Sequence, residues 1–174
     1  DVFPSAVVIV KPSKNNIAKH LLNEYSESTV NTLKLQCDVL KIPLYKVSNV
    51  TSDKTINLLK TLSIDLILLV VLDVIVKDKF LGTSKYGVIS SHGGALPHYR
   101  GNDCLRWAVL NKENEIGIST IMLNSGVDTG DIISNYLINL KNELPCDIEQ
   151  LGKKLYYHKK LYSYLSPIKQ LIKT

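Results

Sequence analysis

Runs of apolar residues along the chain alternate with amphipathic stretches, and the two kinds of pattern predict different elements. Ala6 to Val10 is a short β-branched run stopped by Pro12, which predicts a buried strand. A polar stretch, Ser13 to Asn16, follows. From Ser28 to Lys41, Val30, Leu33, Cys37 and Leu40 recur at helical spacing, with Ser28 or Thr29 placed to cap the helix. Pro43 ends that element, and Leu44 to Val47 is a second short strand. Ser52 or Asp53 caps a further helix that turns Ile56, Leu59 and Leu62 toward a core. The segment Asp65 to Leu72 is apolar at every position after Asp65. A strand of that kind is expected to be buried on both faces, which implies parallel pairing with helices on each side.

Lys77 to Leu81 predicts one or two helical turns, and Tyr86 to Ser90 the next strand. A Gly/Pro loop, His92 to Gly101, leads to a helix capped by Asn102 or Asp103 and carrying Leu105, Ala108 and Val109. Ile116 to Leu123 is a strand, Ser125 to Gly130 a loop, and Ile132 to Leu140 a half-exposed strand. Pro145-Cys146-Asp147 opens a last amphipathic helix with Ile148, Leu151, Leu155, Tyr162 and Leu165 as its stripe. Strands and helices alternate, so the expected fold is α/β: a doubly wound, mostly parallel sheet. With 174 residues and no linker or repeat, one domain spanning residues 1–174 is expected.

Composition narrows the function classes. At 45% hydrophobic and 21% charged, the chain has enough apolar material for one core and is not disordered. Cys37, Cys104 and Cys146 are odd in number and form neither C-x-x-C nor a zinc-finger pattern, which excludes a disulfide scaffold. They suit a reducing compartment, so a cytoplasmic location is expected. The most apolar stretch, Leu66 to Val76, contains Asp73 and falls far short of the ~20 residues needed to span a bilayer. A net charge of +5 permits an anionic substrate without demanding nucleic acid. Lys153, Lys154, Lys159 and Lys160 read as a solvated helix face, since the segment lacks Arg and has only Gly152 for close backbone approach.

In open α/β sheets the ligand crevice lies at the carboxyl ends of the strands, so the loops that begin there carry the candidate chemistry. Asp73 follows the long apolar run. Ser91-His92-Gly93-Gly94-Ala95-Leu96-Pro97-His98-Tyr99-Arg100-Gly101 follows Ser90, and Asn124-Ser125-Gly126-Val127-Asp128-Thr129-Gly130-Asp131 follows Leu123. A His and an Asp on neighbouring loops form a plausible pair, in which the Asp orients the imidazole and the imidazolium donates to a developing oxyanion. Taken singly, each has a blander reading. His92 could be structural, Gly93-Gly94 and Gly126 could serve turns, and Asp128 or Asp131 could brace its own loop. His20 and His158 fall on helical patterns and read as structural; His98 is loop-borne and ambiguous.

The loop at 91–101, followed by Ile116-Gly117-Ile118-Ser119-Thr120 and by Gly126-Val127-Asp128-Thr129-Gly130-Asp131-Ile132-Ile133, resembles the 10-formyltetrahydrofolate-dependent formyltransferases. The likeness runs from about Val7 to about Leu155. It implies a Rossmann-like catalytic domain whose first strand is missing from this chain, along with any smaller C-terminal acceptor domain. It implies catalysis by His92 and Asp128. The family's third catalytic residue, an Asn two positions before the His, is Ser90 here. Strand periodicity keeps Ser90 and His92 on one face, but a hydroxyl offers one donor where a carboxamide offers two. The resemblance also places the formyl donor, 10-formyltetrahydrofolate, against Leu72, Asp73, Val74 and Val76 and under the loop from Asn124 to Asp128.

The function implied is N-formyl transfer to a primary amine, with no metal required because protein donors stabilise the oxyanion. By elimination the acceptor is expected to be a nucleotide-linked amino sugar. Methionyl-tRNA is the alternative acceptor, and a folate-binding module without turnover is the alternative of another class. Asp128-Thr129-Gly130 is also the tripeptide of aspartic proteases. Asp131 in place of a small residue, and the βα alternation before it, argue against that reading.

Overall fold

A computed structural model of the chain describes residues 4–10, 27–70, 75–140, 150 and 152. The chain divides into two compact units, residues 1–64 and 65–174. The expected final helix, its stripe and lysines, the polar stretch after Pro12, His20, His158 and Cys146 lie outside the described residues, Gln150 and Gly152 excepted; those two are helical.

In the first unit, β1 (Val7–Val10) pairs parallel with β2 (Leu44–Val47), Val7 opposite Leu44 and Val10 opposite Val47. Between them runs α1 (Glu27–Val39), which buries Cys37. Leu40, expected on the same face, is 49% exposed. The helix stops at Val39, and Lys41 turns left-handed at φ 56°. Ile42 N donates to Cys37 O and Lys41 N to Asp38 O, a double closure that satisfies the last carbonyls, while Leu40 N still donates to Gln36 O at 3.0 Å. The next helix, α2 (Asp53–Thr61), begins at Ser52 as expected. The Ser52 Oγ accepts from Thr55 N at 3.3 Å, Asp53 and Lys60 match the helix dipole at the two ends, and Ile56 and Leu59 are buried.

The second unit holds a four-stranded sheet in the order β3 (Ile67–Leu69), β4 (Val88–His92), β5 (Glu115–Met122), β6 (Ile132–Asn139). Two helices lie along its chain, α3 (Asp78–Leu81) before β4 and α4 (Cys104–Leu110) after it. Pairing is parallel for β3–β4 and antiparallel for β4–β5 and β5–β6. Combined with the helices, this is the expected α/β class, with its parallel part confined to β1–β2 and β3–β4 among the described residues. The core sits where α4 covers β5 and β6: Leu105, Ala108, Ile116, Ile118, Ile138 and Leu140, with Tyr99 and Val109 packed against it. Each large aliphatic side chain there contributes about 1.5–3 kcal/mol by leaving water.

One expectation is corrected. Of the run from Asp65 to Leu72, residues 65–70 are described; among them the strand is 67–69, and Leu68 and Val70 are 43% and 57% exposed rather than covered. Among the described residues β3 is the outermost strand of its sheet. The fully covered strand is β5, in which every residue from Ile116 to Ile121 is buried.

Lys41 occupies a left-handed position that costs an L-residue about 1–2 kcal/mol and glycine little. Lys41→Gly is expected to raise stability by about 0.5–1 kcal/mol in urea denaturation. A loss of stability would show that the Lys41 side chain itself holds the turn.

Candidate active site

His92 is the last residue of β4, at the carboxyl end of a strand that pairs in parallel with β3. Its ring is gripped from two sides. The Nδ1 atom lies 3.3 Å from Asp128 Oδ2, and Nε2 lies 2.7 Å from the Tyr99 carbonyl oxygen. Both partners accept hydrogen bonds, so a doubly protonated ring satisfies both of them. The loops after β4 and β5 thus do bring together the His and Asp singled out in the sequence.

The loop between His92 and α4 folds back over the ring and is fixed from below. Ser119, fully buried on β5, sits opposite His92 in the β4–β5 register. Its hydroxyl donates to Gly94 O at 2.6 Å and accepts from Leu96 N at 2.9 Å. Asn135 of β6 donates from Nδ2 to Leu96 O at 3.1 Å. Further along the loop, Gly101 N donates to Asp128 Oδ2 at 2.8 Å, the same oxygen that faces His92. The loop therefore holds both the ring and the carboxylate that orients it.

Asp128 has a left-handed backbone, φ 49°. Its loop is braced by Asn124, whose Oδ1 accepts from Gly126 N at 3.0 Å and from Thr129 Oγ1 at 2.7 Å. Asn124, expected against the formyl donor, thus has its side-chain oxygen engaged within the loop. Ser90 donates from Oγ to Leu69 O on β3 at 3.3 Å. Val76 is buried, and Leu72, Asp73 and Val74 lie outside the described residues. Asn102 and His98 are exposed.

In the sequence Cys104 counted only as one of three cysteines without a disulfide or zinc pattern. It opens α4 and is buried, with Sγ 3.4 Å from His92 Nε2, 3.4 Å from Tyr99 O and 3.3 Å from Gly101 O. Burial pushes its thiol pKa up, and the nearby Asp128 carboxylate adds to the rise. The thiol stays protonated and serves as a donor to the loop carbonyls rather than as a nucleophile. Nothing in the one-dimensional pattern pairs a helix-opening Cys with a His twelve residues earlier.

Gly94 lines the back of the ring. A Cβ there would lie 2.5 Å from Tyr99 O, 2.7 Å from His92 Nε2 and 2.9 Å from Cys104 Sγ. At Gly101 a Cβ meets nothing within 4 Å, and only the φ of +80° resists substitution. Gly94→Ala is therefore expected to cost about 2–3 kcal/mol and to disturb His92. Gly101→Ala should cost about 1–2 kcal/mol through backbone strain alone. Thermal denaturation of the two variants checks the order; a harmless Gly94→Ala would mean that the loop does not close on the ring as described.

Comparisons with known proteins agree on one family. Residues 4–159 match the family model described as "Formyl transferase". The methionyl-tRNA formyltransferase of Pelotomaculum thermopropionicum is 34% identical over 117 residues, covering 67% of this chain and 37% of that protein. The methionyl-tRNA formyltransferase of Citrifermentans bemidjiense is 37% identical over 115 residues, 66% of this chain and 34% of that protein. The chain thus spans little more than a third of the length of these relatives. In fold, it is similar to the crystal structure of phosphoribosylglycinamide formyltransferase from Streptococcus pneumoniae, with a TM-score of 0.67, 18% identity, and coverage of 96% of this chain and 99% of that one. The family match over residues 4–159 takes in the loops that carry His92 and Asp128 and runs along most of the chain: the protein belongs to the formyl transferase family.

Proposed function

We propose that the chain carries an N-formyltransferase site that moves a formyl group from 10-formyltetrahydrofolate to the amino group of methionyl-tRNA. The observation that carries the reading is the His92–Asp128 pair, 3.3 Å apart at the carboxyl end of β4. When bound, 10-formyltetrahydrofolate supplies an activated formyl group whose carbon is open to attack by a neutral amine. His92 donates toward the negative charge that develops on the formyl oxygen, which shares the Nε2–H now seated on Tyr99 O. Asp128 keeps the ring oriented and takes up the proton that the amine loses; as the new C–N bond forms, the bond from the formyl carbon to N10 of the folate breaks and N10 receives that proton, so tetrahydrofolate leaves neutral. One such donor is typically worth about 3–4 kcal/mol of transition-state stabilisation. Val76 and the loop from Asn124 to Asp128 form the part of the donor pocket that falls on described residues.

The acceptor is where this reading departs from the expectation of a nucleotide-linked amino sugar. That expectation rested on elimination, whereas the relatives that are 34% and 37% identical are methionyl-tRNA formyltransferases. A cytoplasmic setting follows from the reaction proposed; among the described residues no helix is long and apolar enough to cross a membrane. The direct test offers the protein 10-formyltetrahydrofolate together with methionyl-tRNA or with a nucleotide-linked amino sugar. Formylation of the tRNA is expected. Formylation of the sugar alone would return the acceptor to the first expectation, and donor binding with no transfer to either would identify a non-catalytic module.

Two substitutions probe the chemistry. His92→Ala should lower transfer by at least ~10²-fold while circular dichroism stays native, because the side chain projects from a strand end rather than filling the core. Near-normal turnover in that variant would make the His structural. Ser90 spends its one proton on Leu69 O, so it has none left for the formyl oxygen. Ser90→Asn supplies two N–H donors and is expected to raise kcat about tenfold or more. An unchanged rate would mean that the oxyanion is served without this position.

A further inference from the structure

The hydroxyl of Tyr99 is held at both ends of its hydrogen-bonding capacity. It donates to Glu113 Oε1 at 2.7 Å and accepts from Asn111 Nδ2 at 3.1 Å. Both partners belong to the turn between α4 and β5. That turn is tightly closed: Lys112 is left-handed at φ 57°, Glu113 N donates to Ala108 O at 2.9 Å, and Lys112 N donates to Val109 O at 3.0 Å. The Tyr99 ring packs against the α4–β5–β6 core. Its carbonyl, meanwhile, is the acceptor at 2.7 Å from His92 Nε2. One residue therefore joins a surface turn to the ring that the proposed reaction uses.

We infer that Tyr99, clamped through its hydroxyl by Glu113 and Asn111, is a positioning residue for His92. The physical case is one of restraint. A carbonyl in a loop orients an imidazole only if the loop itself cannot rotate about its own axis. Tyr99 N is fixed by Ala95 O at 3.0 Å on one side. The phenol oxygen fixes the residue on the other, at the far end of the side chain, where a small shift of anchor becomes a larger swing of the acceptor. Cys104 Sγ also reaches Tyr99 O, at 3.4 Å, so the same carbonyl is shared rather than free to follow the ring. The hydrogen bond from Asn111 acts to lower the Tyr99 pKa, but the Glu113 carboxylate, with burial, outweighs it and the net shift is upward. Tyr99 touches neither the formyl group nor the amine in this account; it acts through the ring.

The inference rests on the proposed role of His92 for its kinetic arm alone. The structural arm reads the ring directly. In the full chain, labelled with ¹⁵N-histidine, the His92 Nε2–H resonance is expected to be protected from exchange with water. It should be lost in Tyr99→Phe and in Glu113→Ala, and retained in Glu113→Gln, which keeps an acceptor for the phenol. With 10-formyltetrahydrofolate and methionyl-tRNA, Tyr99→Phe and Glu113→Ala should lower kcat about five- to tenfold, with the donor KM within about twofold and Glu113→Gln near the parent. Protection retained in both Tyr99→Phe and Glu113→Ala would overturn the inference, whatever the rates. Should Tyr99→Phe fail to fold, the exposed Glu113 pair decides alone. Absence of any transfer to methionyl-tRNA in the parent chain would overturn the functional reading and leave the resonance test standing.

Discussion

A single carboxylate oxygen ties the second unit's chemistry together. Asp128 Oδ2 faces His92 Nδ1 at 3.3 Å and accepts from Gly101 N at 2.8 Å. Without that oxygen two loops, one after β4 and one after β5, would have no common point. With it, the long loop that leaves His92 is brought back to within hydrogen-bond reach of the residue that orients His92. The loop thereby forms a closed circuit: ring to Tyr99 carbonyl, along the chain to Gly101, across to Asp128, and back to the ring. A closed circuit of this kind is costly to open at one place, because each bond depends on the geometry the others impose.

The circuit stands on a floor that is itself overdetermined. Ser119 and Asn135 fix residues 94–96 from the sheet, and both are placed by strand register rather than by loop conformation. Rigid strands thus carry the polar groups that hold the mobile class of structure, and the loop in turn holds the ring. Preorganisation of this sort matters for the proposed reaction. A donor aimed in advance at a developing charge avoids the reorganisation that water would demand.

Much of this arrangement was legible in the sequence, and the rest was hidden for identifiable reasons. The quoted motifs named both His92 and Asp128, but strand polarity does not explain their meeting: β5 runs antiparallel to β4, with Met122 opposite Ile89, so the Asp128 loop leaves the sheet at the start of β4 and has to return to His92. The helix start at Ser52 followed from its capping hydroxyl. Helix ends were less legible, because the chain closes α1, α2 and α4 with Lys41, Ser63 and Lys112 in left-handed conformations in place of glycine. The apolar run before Asp73 misled because hydrophobicity reports the demand for cover, not its supply; in β3, the outermost strand among the described residues, Leu68 is 43% exposed. Cys104 and Tyr99 escaped notice because their contribution comes through a thiol proton and a backbone carbonyl, and neither has a signature in side-chain pattern. The bracing role of Asn124, whose oxygen accepts from Gly126 and Thr129, was not legible in the sequence.

The identity of residue 128 follows from two demands that meet at one place. Its backbone is left-handed, a region that Asp enters more readily than Glu because its short polar side chain can bond locally. Its carboxylate must also stand near its own backbone, since Gly101 N approaches from the neighbouring loop and His92 from the sheet. A glutamate would meet the first demand poorly, and its extra methylene would carry the oxygen past the point where the ring and the amide converge. An asparagine would keep the reach and the backbone, but it would present either a neutral oxygen to the imidazole or an N–H to a donor. Aspartate satisfies the turn, the amide and the imidazole together. Thr129 and Asn124 complete the assignment, since the hydroxyl-to-amide bond at 2.7 Å sets the turn from which that carboxylate is launched. The sequence Asp128-Thr129 is thus a solution to a problem of geometry first, and the proposed chemistry uses the charge that this geometry leaves in place.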